Sequence, residues 1–162
     1  MKRVLGVLGL LLSPLCACAS PPAPPDAAVE DPSPELDVIE ATFRFQLEEY
    51  AQHATRFDYI FLELARNQDP PAELLARFAG HTPPVVPISQ SKPDKWLGPH
   101  HKSDDGKGFI LGVTSVRWID VDTAEVKGGY HRGNRGSSWH TFEARRREGK
   151  WVIVSDRTYA AS

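Results

Sequence analysis

Cysteine is almost missing from this chain. There are two in 162 residues, Cys16 and Cys18, both near the start. A disulfide-stapled scaffold is therefore excluded, and whatever folds beyond residue 18 must be held by its own core. No apolar run reaches the roughly 20 residues that a membrane-spanning helix needs. The longest, residues 4–15, contains about a dozen, the length of a secretory apolar region. An excess of one charge is lacking too. Lys and Arg number 19 against 21 Asp and Glu, a net charge of -2, which gives no reason to expect nucleic acid as a partner or an acidic substrate. The sequence carries no phosphate loop, no dinucleotide fingerprint, no zinc spacing, no Ser-His-Asp pattern and no internal repeat. No cofactor and no metal is expected. This length allows one globular domain and makes two full ones unlikely.

What is present begins with Lys2 and Arg3, then the apolar run, then the small residues Ala17, Ala19 and Ser20. That is the order of an export signal. The run Leu15-Cys16-Ala17-Cys18 resembles a bacterial lipobox, with Leu15 and Ala17 in the defining places and Cys16 in the tolerant middle one. The resemblance implies cleavage before Cys18, a diacylglycerol on its sulfur and an acylated N-terminus. Several acyl chains on one residue give stable attachment to membrane lipid. Ala19 is compatible with the outer membrane of a host that has two. Ala17-Cys18-Ala19 also fits a general signal peptidase, so soluble secretion and an uncleaved anchor stay open.

Residues 18–35 read as a tether. Pro21, Pro22, Pro24, Pro25, Pro32 and Pro34 lie among Ala, Asp and Glu, with Val29 the one large apolar side chain. Such a stretch cannot bury enough surface to offset its ordering entropy. Extended at about 3 Å per residue, it holds a domain up to roughly 50 Å from the lipid. Setting aside Lys2, Arg3, Asp26, Glu30, Asp31 and Glu35 leaves 17 basic and 17 acidic residues. The folded body is neutral.

One domain is expected over residues 36–162. Asp37 and Glu40 form a capping-box pair, and Ile39, Phe43, Leu47 and Tyr50 follow at helical spacing, which predicts a helix of about 17 residues. Residues 57–64 predict a strand. Asp69-Pro70-Pro71-Ala72-Glu73 predicts the start of a short helix with Asp69 as N-cap, ended by Gly80. Residues 81–108 are punctuated by five prolines and read as irregular, apart from a short strand at 85–89. Four strands are then predicted at residues 109–119, 124–132, 137–146 and 151–158, an antiparallel meander. Helices first and sheet second give the α+β class, with the helices on one sheet face.

Two stretches carry a resemblance. Arg145-Arg146-Arg147-Glu148-Gly149-Lys150-Trp151-Val152-Ile153-Val154 is similar to the closing hairpin of NTF2-like, cystatin-related domains. Arg77-Phe78-Ala79-Gly80-His81 with Pro83-Pro84-Val85 resembles small bacterial exported proteins of that type. The resemblance spans about residues 37–160. It implies a long and a short helix packed on a curved meander, forming a cone. It says little of function, because such domains serve as isomerases, dehydratases, transport adaptors and binding modules.

In enzymes of that kind a carboxylate or His in the cone acts as general base. The resemblance points to His140 and Asp156 as catalytic candidates, with Tyr130 or Tyr159 as hydrogen-bond donors. The alternative is that they are surface groups on the solvent face. If Asn134-Arg135 is a two-residue turn, His131 faces Ser138, Tyr130 faces Trp139, and His131 and His140 share a face. If Glu148-Gly149 is the next turn, His140 faces Arg157 and Thr141 faces Asp156. One added residue in either loop reverses these assignments. Tyr130, Trp139, His140, Asp156 and Arg157 are the candidate ligand-binding residues. Trp96 reads as a loop residue, and Trp118, Trp139 and Trp151 as strand residues that either pack in the core or form a Trp/Tyr/Arg binding surface. In His100-His101-Lys102-Ser103-Asp104-Asp105 the adjacent imidazoles diverge, so a solvated loop is expected and not a metal site. Arg145, Arg146, Arg147 and Lys150 make a basic hairpin tip, a solvated turn or a contact for anionic lipid or an acidic partner.

These readings lead to a lipid-anchored protein of the bacterial cell envelope whose domain binds an envelope protein or a small apolar ligand. An acid–base enzyme using His140 or Asp156 is the second expectation, and a structural envelope assembly factor the third.

Overall fold

The computed structural model describes residues 33–50, 56–94, 98–133 and 136–161. The expected signal, Cys18, most of the expected tether, Trp96 and the expected turn residues Asn134 and Arg135 lie outside them. Helix α1, Pro34–Glu49, starts earlier than the capping box implies. Pro34 stands in its first turn, where a missing N–H costs nothing, so the last two residues assigned to the tether belong to the helix. Ser33 is the N-cap and makes no side-chain cap bond. Asp37 and Glu40 reach across to Arg77 instead, at 2.7 and 2.9 Å. Val38, Ile39, Thr42, Phe43, Gln46 and Leu47 form its buried stripe.

Strand β1, Tyr59–Leu64, buries Ile60, Phe61 and Leu62 in succession. A run apolar on both sides belongs inside a sheet between parallel neighbours. Helix α2, Ala72–Ala76, follows; its N-cap is Pro71, not Asp69, whose carboxylate accepts the Ser89 N–H at 2.7 Å. The stretch expected to be irregular is more ordered than its prolines suggest. Strand β2, Val85–Pro87, runs into a 3-10 turn, Ile88–Gln90. Strands β3, Ser91–Asp94, and β4, Gly98–His101, pair as a separate hairpin. Four long strands close the chain: β5, Gly108–Asp120; β6, Thr123–His131; β7, Ser137–Arg147; and β8, Lys150–Ala161.

The class is α+β. The meander is four strands of a larger, mixed sheet of order β2-β1-β5-β6-β7-β8, in which β1 runs parallel to both β2 and β5. Helix α1 packs across β5–β8 on one face. The core lies there, with Phe43, Leu62, Phe109, Leu111, Val126 and Phe142 essentially inaccessible. We call this the helix face and its opposite the outer face.

Register decides which side chains share a face, and both expected registers are corrected. His131 pairs with Ser137 and Tyr130 with Ser138, one residue off the two-residue-turn reading. The connection is longer, closed by the Arg132 N–H bonding to Gly136 O. Hence His131 and His140 lie on opposite faces. The Glu148-Gly149 turn does form, with φ of 51° and 79°, the primed geometry suited to twisted hairpins. Arg147 pairs with Lys150 and Ala144 with Ile153, but Glu143 then pairs with Ser155. Val154 is left over as a bulge, which advances β8 by one residue. Thr141 therefore meets Arg157, and His140 meets Thr158. The expected pairs His140–Arg157 and Thr141–Asp156 do not form.

Candidate functional site

On β6 and β7 the even-numbered residues face α1. They include Tyr130, His140 and Phe142, and the bulge adds Asp156 from β8. The His140 side chain is 7% exposed and that of Asp156 24%. Asp156 Oδ1 lies 2.6 Å from His140 Nδ1, and the Tyr50 hydroxyl lies 3.2 Å from Nε2. Thr158 Oγ1 stands 3.4 Å from Nδ1. The imidazole stacks on Phe142 at 5.5 Å and 5°, while Tyr50 leans on Tyr130 at 4.7 Å.

Burial, with the nearby Asp156 charge, pushes the Tyr50 hydroxyl well above the usual phenol range. In the tautomer that carries its proton on Nδ1, the imidazole donates to Asp156 and Nε2 accepts from the Tyr50 hydroxyl. The chain Tyr50–His140–Asp156 is thereby closed. An Asp-oriented histidine is the form of a general base, but its free nitrogen is engaged by Tyr50, and Phe43, Phe109 and Tyr130 fill the adjoining interior.

Gln46, one turn before Tyr50, is fully buried. Its Nε2 lies 3.4 Å from both Gly112 O and Gly129 O, and Oε1 has no partner among the described residues.

The open space is on the outer face. A groove of about 510 Å³ is lined by Ala65, Arg66, Thr114, Trp139 and Tyr159. Another, of about 400 Å³, lies between the β3–β4 hairpin and the sheet, among Asn67, Ile88, Pro93, Pro99, Ile110 and His131. Between them stands a turn in which Ala65, Arg66 and Asn67 all take positive φ, 42°, 56° and 57°. Three side-chain-bearing residues in that region cost about 1–2 kcal/mol each. The turn is held by reciprocal bonds between Leu64 and Gln68, by Ala65 N–H to Val113 O, and by Asn67 N–H to the Glu63 carboxylate.

The candidate ligand residues are thus divided by the sheet. Tyr130, His140 and Asp156 come together under α1. Trp139 and Arg157 are on the outer face, where Tyr159 joins Trp139 in the groove. His131 is there too, 2.6 Å from Ser137 Oγ. Trp118 and Trp151 meet edge-on at 5.5 Å, with Trp118 40% exposed. At the basic tip Arg145 pairs with Glu143 at 2.7 Å, and Arg145 to Lys150 are exposed. His101 stacks on Tyr59 at 4.2 Å and is held by Ser103, Asp104 and Gln90, while the buried His100 bonds Gly98 O. Among the described residues no three His, Cys, Asp or Glu converge as metal ligands.

Sequence reasoning missed Tyr50, Gln46 and Arg66 as parts of these sites. A Gln inside an apolar helical stripe was the readable signal for Gln46. Arg66 gave none, because a left-handed Ala-Arg-Asn turn has no local signature. Compared with family models, with curated proteins and with solved structures, the chain matches none.

Proposed function

We propose that the protein is a membrane-tethered lipoprotein of the cell envelope, anchored through acylated Cys18, whose domain is a binding module of the NTF2-like kind. The order of a long helix, a short helix and a four-stranded meander packed under the long helix supports the NTF2-like reading. The observation that carries the binding role is the 510 Å³ aromatic groove, open to solvent on the face that α1 leaves uncovered. Binding sites are concave, largely apolar and furnished with a few polar groups; here Trp139 and Tyr159 supply the apolar wall, and Arg66 and Thr114 the polar one. An acid–base enzyme built on His140 and Asp156 is supported less, since their hydrogen bonds are spent on each other and on Tyr50.

A photo-crosslinking residue in place of Tyr159, in the tethered protein within its own cells, tests the reading. A discrete adduct that disappears when Trp139 is also changed to Ala is expected. The same probe at the exposed Val121, outside the groove, serves as control. No adduct at position 159 would remove the binding module.

A further inference from the structure

Charge on the outer face is sorted in an unusual way. Its acids on the central strands are neutralised, Glu125 by Arg117 at 3.1 Å and Glu143 by Arg145 at 2.7 Å. Three cations around the groove have no such partner among the described residues: Arg66 on the left-handed turn, Lys127 on β6 and Arg157 on β8, all exposed. Lys127, Thr141 and Arg157 form one row across the sheet, next to the row of Gly129 and Trp139. Glu63, in the row of Gly129 and Trp139, is a carboxylate with no cation partner among the described residues, and it accepts the Asn67 N–H. The surface that surrounds Trp139 and Tyr159 is therefore locally positive on a body that is neutral as a whole.

Resting on the binding-module reading, we propose that the groove takes an extended acidic peptide segment of a partner protein. Spacing argues for an extended occupant. From β1, which leads into Arg66, to β8, which carries Arg157, are four strand intervals, about 19 Å. A single carboxylate cannot bridge that distance, whereas about six extended residues span it. Composition argues for protein, since Trp, Tyr and Arg are the residues that dominate protein–protein binding energy. Charge gives the polarity, an acidic segment steered to unpaired cations at the rim of an aromatic centre. The strained turn at 65–67 fits the same role. It fixes Arg66 at the lip of the groove before any partner arrives, so less ordering remains to be done on binding.

The probe is a synthetic ten-residue peptide alternating Glu and Ala, titrated by calorimetry into the full mature chain in detergent, with a Lys-Ala peptide as control. Saturable binding of the acidic peptide only is expected, weakening several-fold as salt rises from about 50 to 300 mM. Arg66→Glu, Lys127→Glu and Arg157→Glu should each weaken it about 3- to 10-fold, and Trp139→Ala about tenfold or more. The three cations are exposed, so the melting temperatures of their variants should stay near that of the parent. Absence of binding, or binding indifferent to all four substitutions, overturns the proposal. Binding of an anionic polysaccharide or of phosphatidylserine vesicles in place of the peptide, with the same sensitivity, also overturns it, as a glycan or lipid site. Peptide binding seen only after residues 19–32 are deleted assigns the groove to the chain's own acidic segment and overturns the partner. A Tyr159 crosslink that forms while the peptide fails to bind leaves the module standing and removes the acidic class alone.

Discussion

His140 is buried with a hydrogen-bond partner on each ring nitrogen, and a buried polar group left without one costs about 1–3 kcal/mol. Asp156→Ala should therefore destabilise the domain by about that amount, and Tyr50→Phe by about 0.5–1.5 kcal/mol, both read by chemical denaturation. A loss of cellular function without a loss of stability would instead revive an acid–base role for the pair. Glu40 offers a test through pH. Burial raises its carboxyl pKa, but hydrogen bonds from Arg77 and Arg44 outweigh burial and hold it below the usual 4.5. A group depressed on folding contributes stability above its unfolded value and loses it as pH falls through the folded one. Acid unfolding of the parent should thus steepen below about pH 4.5. Glu40→Gln should be less stable at neutral pH and show a shallower acid slope, measured as melting temperature between pH 3 and 6.

At the scale of elements, the legible parts were those set by local pattern. The stripe Ile39, Phe43, Leu47, Tyr50 gave α1, and β-rich runs separated by short polar links gave all four strands of the meander. The Glu148-Gly149 turn was read correctly as well. What failed was register, because strand faces alternate every residue and one extra residue exchanges them. Val154 is that residue in β8, and neither it nor its neighbours differ in kind from an ordinary apolar strand. So His140 and Asp156 were named, but their direct bond was not foreseen, and Trp139 was placed with partners that the sheet puts on its other side. The parallel addition of β1 and β2 is a long-range pairing that no local pattern encodes. Deleting Val154 makes this concrete. The pairs Ala144–Ile153 and Glu143–Ser155 can then join without a bulge, so the His140–Asp156 hydrogen bond should survive. A downfield imidazole Nδ1 proton in the NMR spectra of parent and variant alike would show it; its loss would mean that the bulge itself shapes the site.

For the whole molecule the first question is attachment. Cys18→Ala should move the protein from the membrane to the soluble fraction on cell fractionation, and unchanged fractionation would refute the lipid anchor. The body is neutral, so with the anchor gone nothing in its net charge would hold it at an anionic surface. The proposed anchor would confine many copies to a thin layer and raise the frequency at which equal surfaces meet. In that setting β8 matters, because it ends the sheet and is twelve residues long, with exposed Val152, Val154 and Tyr159. A straight strand of that kind is a template for stacking copies edge to edge. β8 departs from its partner's register twice, between Glu143 and Ala144 and between Trp139 and His140, and carries Lys150 and Arg157. These irregularities interrupt the even ladder that a second copy would need. In the proposed anchored layer, the bulge that accommodates Val154 while Asp156 stays on the His140 side would thus also discourage self-association.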